Sequence, residues 1–189
     1  MLSAFDRGEE IVKHIAVTSL MLLAVSPLLA GQGMQSSAAT ANPIVTTVRA
    51  MEGRFAKNLT GAADLMPAAK YNYRPTPEQI TFAHLMMHTA ESNNLLCGAV
   101  SGEKAPEVKL GEDDSKETLS KALKDSFSYC EQVLAKADDS TLGQAVTIHD
   151  QPGTRGSALL RLVAGWSDHY SAAAMYLRLN NLLPPSAQK

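Results

Sequence analysis

In four separate stretches of this chain, apolar residues recur at intervals of three and four. That spacing marks one face of an α-helix, and no stretch alternates convincingly as a strand. The first stripe, Ile44, Val48, Met51, Phe55, Leu59, Ala62 and Met66, predicts a helix over about 43–66. Asn42 is placed to cap it, Pro43 takes its first position and Pro67 stops it. A second helix, about 81–100, presents Phe82, Leu85, Thr89, Leu96 and Val100. A third, about 115–137, presents Leu119, Leu123, Phe127, Cys130, Leu134 and Ala137, with a weakened capping box at Ser115. The fourth opens near Thr154 or Ser157 and carries Leu159, Val163, Trp166, Tyr170, Ala173 and Leu177 before Pro184-Pro185. The connections 70–79, 102–114 and 138–153 are polar, the last with a short extended piece at Ala145 to Ile148. Four amphipathic helices of this length predict an all-α four-helix bundle.

The bundle does not use the whole chain. Ile15 to Ala30 runs sixteen residues without a charge, shorter than the roughly 20 needed to cross a bilayer and suited to the apolar region of an export signal. Residues 1–41 are therefore expected to be a signal peptide and short linker, and 42–189 the domain, with a periplasmic or secreted destination and no stable membrane span after processing. No Cys lies near the apolar run, so the chain lacks a lipobox cysteine. Without residues 1–41 the body carries 15 Lys and Arg against 16 Asp and Glu. That balance offers no basic excess to neutralise a phosphate backbone, so nucleic acid is not an expected partner. Two Cys are too few for a disulfide framework or a four-thiolate zinc site. Cys130 continues an apolar stripe and reads first as a buried inert thiol; in an oxidising compartment a bond to Cys97 is the alternative.

The histidines are the residues best suited to chemistry. His84 and His88 are four apart on the second helix and share a face, and His169 follows Trp166 on the fourth. Imidazoles projecting inward from facing helices are one way a bundle builds a metal site. On spacing alone, such a pair is more often polar decoration of a helix than a ligand set. His14 and His149 are incidental.

Several stretches carry a more specific signal: 71–79 (YNYRPTPEQ), 82–93 (FAHLMMHTAESN), 126–130 (SFSYC) and 166–185 (WSDHYSAAAMYLRLNNLLPP). In these, roughly residues 42 to 187 resemble the DinB-like family of helical-bundle proteins, which includes thiol-dependent transferases and isomerases. The resemblance implies a divalent metal, Zn or Ni, held by one His of the second helix and an H-x-x-x-H pair of the fourth. His88 matches the first and His169 the second member of the pair, but Gly165 stands where the other His belongs. His84 is one replacement for the third ligand, and Glu91 or Asp168 supplies an oxygen in others. The implied activity is metal-dependent hydrolysis or thiol transfer on a small molecule, although the low-molecular-weight thiols of the transferases are chiefly cytoplasmic. The alternative is a non-catalytic binding or scaffold bundle that has lost its metal. Family members often pair, so a homodimer is also implied.

Overall fold

The computed structural model describes residues 41–188; the expected export signal lies outside the described residues. Among the described residues four α-helices form: α1 (Pro43–Leu65), α2 (Phe82–Ser101), α3 (Lys116–Lys136) and α4 (Arg155–Leu179). Each packs on two others, α1 and α2 both lying against α3 and α4. Contacts set the directions. Asn93 meets Ser126 and Cys97 meets Cys130, both advancing by four residues, so α2 and α3 run parallel. Asn93 also meets Trp166 while Thr89 meets His169, so α4 runs against α2. Residues 102–115 therefore return the chain along the length of the bundle.

The core is filled by the predicted stripes, with Phe55, Leu59, Phe82, Leu123, Leu134, Leu159, Trp166 and Leu177 buried. Side-chain caps start three helices: Thr81 accepts from the His84 amide, Ser115 from Thr118, and Thr154 from Ser157 in a reciprocal capping box. Fully buried Trp166 links three helices: its Nε1 donates to Asn93 Oδ1 at 2.7 Å, and Asn93 Nδ2 donates to Ser126 Oγ at 3.0 Å. These three residues come from the 82–93, 126–130 and 166–185 stretches, which are brought together here by hydrogen bonds.

Three expectations are corrected. Asn42 does not cap α1: its φ of 51° turns its side chain away, and Oδ1 accepts from the Asp139 amide instead. The cap is Asp139 itself, whose carboxylate accepts from the amides of Ile44 and Val45, both at 2.9 Å. Second, the α1 stripe is rotated by one residue at its start. Val45 and Glu52 are buried where Ile44 and Met51 were expected, and Ile44 is exposed. The short extended piece expected at Ala145 to Ile148 forms beside the four helices. Ala145–Ile148 (β1) pairs antiparallel with Gln151–Thr154 (β2) through a turn in which His149 and Asp150 both have positive φ, the geometry of a tight hairpin. Third, Cys130 is not a free thiol: it is bonded to Cys97, with Cα atoms 5.4 Å apart and both residues fully buried.

The rotation of α1 has a consequence. Glu52 is only 7% exposed and lines a cavity of about 340 Å³ between α1 and α3, beside Arg49 and Glu131. Burial, and secondarily Glu131, push its carboxyl up to about 7, with Arg49 opposing. A raised carboxyl favours the folded state while it holds its proton, so this stability is fully present below about pH 4.5 and is lost as pH rises through about 7. The full shift corresponds to about 3 kcal/mol, and solvent reaching the cavity reduces the expected loss to about 2 kcal/mol. Glu52→Gln should remove this component, so that urea unfolding of the variant between pH 4.5 and 8 lacks the decline expected of the wild type. Parallel pH profiles for the two proteins would show that the carboxyl is not stabilised in its neutral form.

Candidate functional site

The two family-matched histidines meet. His88 on α2 and His169 on α4 lie edge to face, ring centroids 5.1 Å apart and planes at 70°. The antiparallel crossing that joins Asn93 to Trp166 also aligns the turns one step further along, where Thr89 faces His169. Thr89 is fully buried, and its hydroxyl donates to the Leu85 carbonyl at 2.7 Å. With its only proton used there, Thr89 Oγ1 acts as acceptor toward His169 Nδ1, at 3.3 Å. That assigns the proton of a neutral His169 to Nδ1 and leaves a lone pair on Nε2. Burial lowers the His169 pKa below its usual value, nearby His88 adds to the effect, and Asp168 opposes it. The neutral form of the side chain is thus favoured, with Nε2 left as a free acceptor.

His88 is exposed, its Nε2 3.5 Å from Ser92 Oγ. His84 stacks on His88 with centroids 6.3 Å apart, but its Nδ1 is held by Glu112 Oε1 at 2.5 Å. The same carboxylate approaches Thr81, and the bond to His84 is the main reason its own pKa is lowered. Glu91 and Asp168 are exposed, with no side-chain hydrogen bond among the described residues. Gly165 is one turn before His169, and a Cβ built there would stand 3.7 Å from His169 Cε1, an ordinary contact.

Of the predicted site residues, then, His88 and His169 come together, His84 is adjacent but engaged by Glu112, and Glu91 and Asp168 face outward. Among the described residues no group of three or more His, Cys, Asp or Glu side chains is arranged to hold a metal ion. The donor set does not fit the three-ligand centre implied by the resemblance, because the position that would complete it is Gly165. Glu112 and Thr89 were not among the expected site residues. Glu112 sits in a loop without periodicity, and Thr89 reads as one more member of a helix stripe.

Comparison with known proteins agrees with the fold. The DinB superfamily profile matches residues 53–171. A DinB-like protein from Bacillus subtilis superposes with a TM-score of 0.61 at 14% identity, covering 76% of this chain and 99% of that one. A conserved protein from Enterococcus faecalis gives 0.57 at 18%, covering 71% and 95%. A mycothiol-dependent maleylpyruvate isomerase gives 0.54 at 15%, covering 67% of this chain and 59% of the isomerase. No curated protein matches the sequence. Among the described residues no helix is long and apolar enough to cross a membrane. With more than half its length matched by the profile, the chain belongs to the DinB superfamily.

Proposed function

We propose that this protein is an exported small-molecule-binding member of the superfamily, built around the His88–His169 pair and operating without a resident three-ligand metal ion. The observation that carries this reading is the state of the third ligand position: Gly165 has no side chain and His84 is committed to Glu112. What the site offers is a neutral, half-buried His169 that can accept a proton from a bound hydroxyl or thiol, beside the exposed imidazole of His88. The buried Cys97–Cys130 bond supports export, since such bonds persist in oxidising compartments.

A second reading, metal-dependent hydrolase or thiol transferase, is favoured by the approach of the two family-matched rings to 5.1 Å. The structural likeness to a mycothiol-dependent isomerase gives the thiol version some support. A zinc titration followed by calorimetry and elemental analysis separates the two readings. Gly165→His should take up one Zn(II) per chain and rise in Tm on metal addition, whereas wild type and Gly165→Ala should not. The Ala variant controls for the gain in helix propensity on replacing glycine, about 1 kcal/mol. Near-stoichiometric Zn or Ni in wild-type protein, lost in His88→Ala, would overturn the metal-free reading and favour the enzyme.

A further inference from the structure

About 20 Å along the helices from the histidine pair, at 1.5 Å per residue, the C-terminal ends of α2 and α3 meet the first residue of α4. The parallel course of α2 and α3 places two C-terminal ends side by side here. They enclose a cavity of about 250 Å³ whose walls include Tyr129, Lys136 and Arg155. Two buried side-chain polar atoms are without a hydrogen-bond partner among the described residues: Tyr129 Oη and Arg155 Nε. Both belong to residues lining this cavity. Buried donors are nearly always satisfied, and two orphans around one cavity call for a common partner.

The partner's chemistry follows from the donors. Arg155 is permanently cationic, and among the described residues no carboxylate lies within 4.0 Å of it. Its guanidinium lies against Gly102, where φ is 76°, and a Cβ there would stand 2.5 Å from an Arg155 Nη. Glycine there leaves room for the Arg155 guanidinium itself. Lys136 adds a second positive charge on the cavity wall. Two carboxylates also line the cavity. Asp138 is already occupied, accepting from the Ser140 amide, the Ser140 hydroxyl and Asn42. Glu103 is an exposed residue. The unused donors are a guanidinium and a phenol, a pairing suited to a planar or tetrahedral oxyanion.

We propose that this cavity is a second binding site, for a small oxyanion carrying a carboxylate or phosphoryl group, held by the Arg155 guanidinium and the Tyr129 hydroxyl. It is independent of the reading given for the histidine pair, and neither site requires the other. The full chain is titrated with inorganic phosphate and with acetate at matched ionic strength, followed by Tm and by tyrosine-edge NMR shifts. At least one anion should saturate at 1:1, and the one that does identifies the head group. Arg155→Met should abolish saturation, and Tyr129→Phe should weaken it roughly tenfold. Without ligand, Tyr129→Phe should raise Tm by about 2 °C, because it deletes a buried hydroxyl that has no partner. A hydroxyl with a merely structural role would give the opposite sign. No saturable response to either anion, or an unchanged response in both variants, would overturn the proposal.

Discussion

Reducing the Cys97–Cys130 bond should lower the unfolding free energy by about 3–4 kcal/mol, the chain-entropy value for a loop closed across 33 residues. For a domain of this size that is a drop in Tm of about 10 °C. The bond joins two parallel helices deep in the core, where both cysteines are fully buried. Reduction frees the connection 102–115 to sample more conformations in the unfolded chain, while the folded packing changes little. The same loss is expected for the Cys97→Ala, Cys130→Ala double variant, which leaves no thiol to re-form the bond. Total stabilities of single domains lie near 5–15 kcal/mol, so the reduced protein should fold but with a much smaller margin. Urea unfolding with and without reductant, alongside a thiol count, measures this directly. Equal stability in both states, with two titratable thiols after reduction, would show that helix packing alone holds α2 and α3 together.

The second large effect is expected at Trp166. Trp166→Ala removes the largest fully buried side chain and should cost about 3–5 kcal/mol. Part of that cost is polar. Trp166→Phe keeps most of the ring volume but leaves Asn93 Oδ1 without its donor, in a place closed to solvent. That variant should lose about 1–3 kcal/mol. Adding Asn93→Leu to Trp166→Phe should recover part of the loss, because the stranded acceptor is then gone, although Ser126 in turn loses a donor. If the double variant is less stable than the sum of the single changes, the network contributes by packing rather than by hydrogen-bond satisfaction.

What the sequence makes legible here follows from range. Each helix announces itself because its stripe is local: one period repeated over twenty residues is visible without knowing any partner. His88 and His169 could be named because a turn-level pattern and a resemblance pointed to the same positions. Their contact depends on an antiparallel register that no single stretch encodes. Glu52 was missed because one residue of rotation, about 100° around the helix, decides whether Met51 or its neighbour faces the core. The fate of His84 depended on Glu112, a loop residue whose position follows from the return path of residues 102–115. Pairing of Cys97 with Cys130 required knowing that α2 and α3 run the same way. The cavity at Tyr129 and Arg155 required that too, since only parallel helices bring two C-terminal ends to one place.

Asp139 also bears on the order of events during synthesis. The Ile44 and Val45 amides take their acceptor from a residue about 95 positions later in the chain. While a ribosome is still making α2 and α3, the leading end of α1 has no native partner for those two donors. Its first turn lacks that cap until the α3–α4 connection has emerged. The first helix of the bundle thus takes its cap from the α3–α4 connection, and a chain stopped short of Asp139 would lack that cap as well as its last helix.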